Sequence, residues 1–213
     1  KERLPILVEA FNQIYMMAGK MGYPGLQIGM EISRYTTLRI GDITRLQTGK
    51  HIVGQELRVI ISKSEAQKGS ARASRLGWGF KEHPALWNLV NRARKLSKAN
   101  NDCPFLISHK GAVKRHSKAK EHQYQMLTDT LSKQFREVRD VCGFDQAWAD
   151  TLGDGKTPFS FHEIRGLAIT MLSNSGYSDA QIAEVTAHES VTTTQGYQNA
   201  ESLPYVPVRI KIE

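Results

Sequence analysis

The sequence predicts an α+β fold: a single, mostly helical domain with a small three-stranded antiparallel sheet. Apolar residues recur at helical spacing over most of the chain. Strand-like patterning is concentrated in one region, residues 50–78. A length of 213 residues is enough for one sizeable domain, or at most two small ones, and no segment repeats.

Three helices are expected before the sheet. Residues 4–20 place their apolar side chains at helical spacing and have Gly19 near the end. A second helix is predicted over residues 24–36, opened by Pro24, and a shorter third over residues 38–47.

The sheet is expected in the middle of the chain. Residues 50–62 favour two strands around a turn near Gly54 and Gln55, and residues 71–78 favour a third strand. Near the C-terminus, residues 204–212 alternate like a short strand, which Pro207 would confine to a sheet edge.

Helices resume after the sheet. They are predicted over residues 83–98, 127–141, 160–175, 178–186 and 188–197. Residues 149–158 form a turn-rich connector. Residues 109–122 are strongly basic and lack periodicity, which is typical both of a mobile loop near a polyanion and of a solvated surface loop.

The charge balance indicates an anionic partner. The chain contains 29 Lys and Arg against 21 Asp and Glu, a formal net charge of +8. Nucleic acid is the first expectation and an acidic membrane surface the second. No apolar run reaches the ~20 residues of a membrane-spanning helix, and no signal-peptide pattern is seen. Two cysteines argue against a disulfide framework and suit a reducing cytoplasm.

The stretch FSFHEIRG, residues 159–166, begins like a zinc-protease motif. Such a motif requires a second histidine one helical turn after the first, so that two imidazoles share one metal ion. That position is Gly166, which has no ligating side chain. The sequence therefore predicts no metal here, and Arg165 becomes the residue to explain.

Residues able to act on a phosphate occur in four places. They are Arg39 with Asp42, Lys63, His162 with Arg165, and His188 with Tyr197. Taken singly, each has an ordinary structural explanation, such as an ion pair, a surface lysine, a core histidine or a half-buried tyrosine. Taken together, they indicate phosphoryl transfer on DNA.

The chemistry accounts for the residue types. Two guanidiniums can hold the non-bridging oxygens of a phosphodiester bidentately, which a lysine cannot do. Histidines can donate to the phosphate or move protons near neutral pH. A lysine can protonate the leaving 5′-oxygen. A tyrosine, with an ordinary pKa of about 10, becomes nucleophilic where cations favour its phenolate. Such a set makes a metal unnecessary.

The order of these residues resembles the tyrosine recombinases, the family of the phage integrases, and among them the lambda-like members. The family has T-G-x-R-x-x-E, a hairpin lysine, H-x-x-R, a G-H pair and a terminal tyrosine. Residues 36–42 read TTLRIGD, with Thr37 in place of the usual glycine and Asp42 in place of the usual glutamate. Lys63 directly follows a predicted strand, and Lys68 is the fallback for the hairpin lysine.

The C-terminal motifs have the spacing of the family. His162 and Arg165 supply H-x-x-R, and His188 follows Arg165 by 23 residues. Ala187 stands where the glycine of the G-H pair is usual. Tyr197 follows His188 by nine residues, after a run of three threonines. The resemblance extends over essentially the whole chain, about residues 5–200.

The resemblance implies a role for each position. Tyr197 would attack the phosphate and form a 3′-phosphotyrosine link. Arg39 and Arg165 would hold that phosphate, and His188 would bond to it. Lys63 would protonate the 5′-oxygen, with His162 assisting proton transfer. Asp42 would orient Arg39 or its helix, while Glu163 would face away as a surface carboxylate.

The resemblance also implies partners and setting. We expect double-stranded DNA carrying attachment sites, a homotetramer on that DNA, no cofactor and a bacterial cytoplasmic location. Residues 1–213 would form a catalytic domain, with the family's N-terminal DNA-binding domains missing from this fragment. Contacts with the DNA backbone are predicted for Lys68, Arg72, Arg75, Arg92, Arg94, Lys114, Arg115 and Lys118.

Two alternatives remain open at this point. One is a type IB topoisomerase, which uses similar residues to relax DNA. The other is a DNA-binding accessory protein with an inactive site. The sequence also leaves open whether the isolated domain is a monomer, and whether its tail packs on its own domain or on a neighbour.

Overall fold

A computed structural model describes residues 2–69, 73–109, 120–186 and 205–211. Within these segments no helix is long and apolar enough to cross a membrane. The helices described there are α1 (Val8–Lys20), α2 (Pro24–Thr36), α3 (Ile40–Ile43), α4 (Thr48–His51), α5 (Ser62–Lys68), α6 (Pro84–Ala99), α7 (Thr128–Val141), α8 (Gln146–Thr151), α9 (Glu163–Asn174) and α10 (Asp179–Thr186). The strands are β1 (Glu2–Arg3), β2 (Ile52–Val53), β3 (Glu56–Ile60), β4 (Arg75–Gly79), β5 (Lys156–Thr157) and β6 (Val206–Pro207).

Helix α2 is the central element of the helical part. It begins with Pro24, whose fixed φ suits the first helical position. It then packs against α1, α6, α7 and α9, so both apolar and small residues along it are buried. A Cβ at Gly25 would collide with the carbonyl oxygen of Ser108, so glycine is needed for this close approach. The surrounding helices thus bury α2 along most of its length.

The main sheet has the strand order β2-β3-β4-β6. The first three strands are antiparallel, as predicted, and Leu57, Val59 and Trp78 are buried in the core. The fourth strand is the tail, which pairs parallel to β4 and makes the sheet mixed. Pro207 lies on this edge strand, as expected for a residue without an N–H. A separate two-stranded parallel sheet joins β1 to β5.

The tail packs on its own domain. The N–H of Val208 donates to the carbonyl of Gly77 at 2.7 Å, and His83 Nε2 donates to the carbonyl of Val208 at 2.8 Å. Val208 itself is buried. Within the single chain, the tail therefore extends the sheet of its own domain beside β4.

Several predicted boundaries were wrong. Only the short helix α3 forms within the range 38–47 expected to be a single helix, α4 follows it at the start of the predicted strand region, and the third strand begins at Arg75 rather than at residue 71. Helices α5 and α8 were not predicted, because both are short and mostly polar, without the apolar repeat that marks a helix. The helix expected over 188–197 lies outside the described residues.

An aromatic cluster supports the start of α9. It consists of Phe135, Phe144, Trp148, Phe159 and Phe161, whose rings make edge-to-face and tilted contacts with centroids 5.2–6.4 Å apart. The buried Arg139 donates to the carbonyl of Phe159 at 2.8 Å and pairs with Asp140. The residues just before His162 are therefore fixed by packing and by a hydrogen bond.

Candidate active site

The turn after α2 brings Arg39 into place. Thr37 ends the helix in the left-handed region, with φ 56° and ψ 10°, and is buried. A β-branched residue is uncommon there, at a cost of about 1–2 kcal/mol. Glycine, which the family pattern has at this position, would avoid that cost. Beyond the turn, the half-buried Arg39 occupies the N-cap position of α3 in an extended backbone conformation.

Asp42 connects this turn to the segment that carries Lys63. Only 2% of Asp42 is exposed, and its Oδ1 accepts a hydrogen bond of 2.9 Å from the backbone N–H of Ser62. Its Oδ2 is buried and has no hydrogen-bond partner among the described residues. We expected Asp42 to orient Arg39 or its helix, whereas the described bond goes to the start of α5.

Lys63 lies in the connection between the paired strands β3 and β4, as the hairpin prediction requires. It is an exposed residue of the first turn of α5 rather than part of a strand or a tight turn. The fallback, Lys68, is the last residue of the same helix and is also exposed. The bond from Asp42 to Ser62 therefore reaches the residue immediately before Lys63.

The turn that leads into α9 is closed by bonds between Ser160 and Glu163. The N–H and hydroxyl of Ser160 donate to the Glu163 carboxylate at 2.7 and 2.6 Å. The N–H of His162 in turn donates to the Ser160 hydroxyl oxygen at 3.3 Å. Glu163, expected to face away as a surface carboxylate, thus also closes this turn and helps to hold His162, which is exposed.

Arg165 lies in the first turn of α9 and is only 6% exposed. Its Nη1 donates to the carbonyl of Thr37, and its Nη2 donates to the carbonyl of Thr186 at 2.7 Å. One guanidinium therefore joins the end of α2, helix α9 and the end of α10. Two carbonyls on different elements fix its plane, which a lysine ammonium could not reproduce.

The charge of Arg165 is destabilised by its surroundings. Burial lowers the pKa of its guanidinium to about 10; the positive charge of Arg39 acts in the same direction, and Asp42 opposes both. Arg165 is thus still protonated at neutral pH. The structure therefore brings Arg39, Asp42 and Arg165 into one electrostatic neighbourhood, with two cations on a partly buried site.

The remaining candidate residues divide into two groups. Arg75 lies half-buried on β4, and Arg92 donates to Glu31 and Tyr15, so the DNA contacts expected of both stay predictions. Arg72, Lys114, Arg115, Lys118, His188 and Tyr197 lie outside the described residues, so their roles stay predictions. Within the described segments no group of three or more His, Cys, Asp or Glu side chains is arranged to hold a metal ion.

Sequence reasoning missed three contributors to the site. Thr37 and Thr186 offer carbonyls to Arg165, and backbone acceptors leave no signal in side-chain patterns. The local role of Glu163 could have been predicted, since Ser160 and Glu163 form the S-x-x-E signature of a helix start. The threonine at a position where the family has glycine was also a signal, because it marks a left-handed helix end.

Comparison with known families decides the assignment. The profile of the phage integrase family matches residues 8–202. The chain belongs to the phage integrase family. The matched region contains all six positions expected to act on DNA, and the resemblance to the tyrosine recombinases is confirmed. Comparison with curated protein sequences gives no significant match.

Solved structures show the same fold. The lambda integrase catalytic core is similar with a TM-score of 0.66 at 17% identity, covering 99% of this chain and 100% of that one. Lambda integrase (75-356) as a dimer bound to a COC' core site gives a TM-score of 0.63 at 19% identity, covering 89% of this chain. XerA recombinase gives 0.56 at 12% identity, covering 89% of this chain and 58% of that one. The predicted fold class is therefore confirmed.

The chain corresponds to only part of the longer lambda integrase chain. It spans 57% of the lambda integrase chain in the COC' core-site complex, and all of the catalytic core when that is taken alone.

Proposed function

We propose that this chain is the catalytic part of a site-specific DNA recombinase that cleaves and rejoins strands through a covalent 3′-phosphotyrosine intermediate. The observation that carries the proposal is the pair of arginines. Arg165 is buried, its pKa is lowered partly by the charge of Arg39, and its plane is fixed by two carbonyls. A site that holds two cations close together, one of them buried, is suited to bind an anion.

A DNA phosphate is the anion that fits the family and the charge. A phosphodiester between Arg39 and Arg165 relieves their mutual repulsion and compensates the burial of Arg165. The added negative charge of the transition state strengthens this effect, since the donors are already oriented and need no rearrangement. The chain's net charge of +8 favours the approach of DNA, whose backbone is negatively charged.

The reaction then exchanges one phosphodiester for another. The Tyr197 oxygen attacks the phosphorus, the bond to the 5′-oxygen breaks, and Lys63 supplies the proton for the leaving 5′-hydroxyl. His162 assists the transfer of the tyrosine proton, and His188 bonds to a phosphate oxygen. Rejoining reverses these steps with a 5′-hydroxyl of the partner strand. The phosphotyrosine retains the energy of the bond, so no ATP is consumed.

The biological setting follows from the family and stays a proposal. Lambda integrase has been solved as a tetramer bound to a Holliday junction. We propose a corresponding homotetramer on double-stranded DNA for this chain, acting at attachment sites to integrate and excise a phage or mobile element.

Covalent capture tests the chemistry. The protein is incubated with nicked attachment-site DNA, from which the short cleaved strand diffuses away, and the products are resolved on a denaturing gel. A DNA-linked protein band is expected for the wild type and none for Tyr197→Phe, with DNA binding largely retained. Adduct formation by the phenylalanine variant would show that Tyr197 is not the nucleophile.

A further inference from the structure

We propose that Thr37 is a positioning residue whose hydroxyl, absent from the glycine usual in the family, holds the end of α10 against Arg165. The inference deepens the proposed function and rests on it only for the catalytic readout. Its starting point is that a buried threonine occupies a backbone conformation that glycine adopts more readily.

The hydroxyl of Thr37 has a defined partner. Its Oγ1 donates to the carbonyl of Val185 at 3.3 Å, a buried bond between residues 148 positions apart in the chain. The carbonyl of Thr37 accepts from Arg165 Nη1. One residue therefore contacts both helix α10, through its side chain, and helix α9, through its backbone.

The Arg165 guanidinium completes a closed set of bonds. Its Nη2 reaches the carbonyl of Thr186, the residue after Val185. Consecutive carbonyls at the end of α10 are thus held from two directions, by the Thr37 hydroxyl and by Arg165. The hydroxyl of Thr186 bonds back to the carbonyl of Ile182 at 2.8 Å, within the same helix. The end of α10 is fixed relative to the guanidinium, and not only to the hydrophobic core.

The consequence concerns the arginine plane. Without the Thr37 hydroxyl, the carbonyl of Val185 loses its buried donor, and the last turn of α10 can shift with the carbonyl of Thr186 that orients Arg165. Val185 and Thr186 lie three and two residues before His188 in the sequence. Thr37 therefore acts on the reaction through Arg165 and α10, without contact with the phosphate.

Three substitutions separate the hydroxyl from the backbone conformation. Thr37→Val keeps the shape and removes the hydroxyl, Thr37→Ser keeps the hydroxyl, and Thr37→Gly relaxes the left-handed backbone while removing the hydroxyl. Thr48→Val is the matched control, because the Thr48 hydroxyl also donates to a distant carbonyl, that of Pro104, at 3.3 Å.

Two readouts are measured on the whole chain. Hydrogen exchange by mass spectrometry follows the amides of residues 179–186. Single-turnover cleavage of nicked attachment-site DNA follows the reaction at saturating DNA. We expect Thr37→Val and Thr37→Gly to lose protection in 179–186 and to cleave roughly tenfold more slowly at unchanged DNA affinity, the effect of about one hydrogen bond. Thr37→Ser restores both, and Thr48→Val changes neither.

The glycine variant makes the test decisive. If Thr37 had only a structural role, the rate of cleavage would follow the stability of the protein. Thr37→Gly, which is free of backbone strain, would then cleave as well as the wild type. That result would overturn the proposal. Wild-type protection of 179–186 in both Val and Gly variants also overturns it, whatever the cleavage result. Absence of any wild-type adduct refutes the proposed function instead, while exchange still decides the role of Thr37.

Discussion

Arg165 combines a structural and a chemical requirement in one side chain. It is buried, donates to the carbonyls of Thr37 and Thr186, and carries a charge that burial and Arg39 destabilise. Under the proposed function the two roles reinforce each other, because the bonds that hold three elements together would also fix the orientation in which the guanidinium meets a phosphate. Preorganisation of this kind is what makes a charged donor effective in a transition state.

Substitution of Arg165 by lysine should therefore affect both stability and cleavage. A lysine cannot span both carbonyls, and one buried acceptor left unpaired costs about 1–3 kcal/mol of unfolding free energy. Cleavage should fall by at least about 100-fold, as for the loss of one oriented donor in other active sites. Urea denaturation and single-turnover cleavage measure the two effects.

Arg39→Lys is the matched comparison. Arg39 is half-buried at the N-cap of α3, so we expect a similar loss of cleavage with a smaller loss of stability. If Arg165→Lys retained both wild-type stability and wild-type cleavage, neither function assigned to the guanidinium would stand.

At the scale of elements, short polar links hold together segments that are distant in the chain. The bond from Ser62 to Asp42 fixes the start of α5 to the turn that carries Arg39. Helix α5 buries only Ser64 among its residues, so packing alone positions it weakly. We infer that the Asp42 carboxylate helps to fix where α5, and with it Lys63, begins, alongside the bonds of Ser64 to Ser74.

Two substitutions of Asp42 test this link. Asp42→Asn keeps an oxygen that can accept from Ser62, whereas Asp42→Ala removes it and leaves the N–H unpaired, at a cost of about 1–3 kcal/mol. Hydrogen exchange over residues 62–68 should increase in the alanine variant and remain close to wild type in the asparagine variant, with cleavage reduced more in the former. Equal protection of α5 in wild type and Asp42→Ala would refute the anchoring role.

The same elements show what the sequence could predict. Strands β2 and β3 and helices such as α2 and α6 were predictable, because apolar side chains with a clear period must face one core. Helices α5 and α8 were not, since their short polar sequences are fixed by caps and long-range bonds, such as that of Asp145 to the N–H of Trp148 at 3.0 Å. The parallel pairing of the tail with β4 depends on tertiary packing, which local patterns do not encode.

The candidate site followed a similar division. Residue types and spacing were sufficient to propose Arg39, Lys63, His162 and Arg165, because phosphoryl transfer restricts which side chains can act, and their roles stay predictions. The positioning contacts were not predictable, because they run to backbone groups of Thr37, Ser62 and Thr186. Only the departure of Thr37 from glycine hinted at them.

At the scale of the whole molecule, charge, fold and site agree. A net charge of +8, the phage integrase fold and a paired-arginine site all favour DNA as the partner. An assay for strand exchange between two DNA duplexes distinguishes a recombinase from a topoisomerase, which relaxes a single duplex. An accessory protein with an inactive site would bind DNA and form no adduct.

The central claim is that Tyr197 becomes covalently joined to a DNA 3′-phosphate, and mapping that linkage tests it most directly. The adduct formed on nicked attachment-site DNA is digested with nuclease and protease, and the nucleotide-bearing peptide is sequenced by mass spectrometry. We predict one modified peptide, with a 3′-linked nucleotide on Tyr197 and a free 5′-hydroxyl on the departing strand. A nucleotide on any other residue, or a 5′-phosphate linkage, would contradict the account.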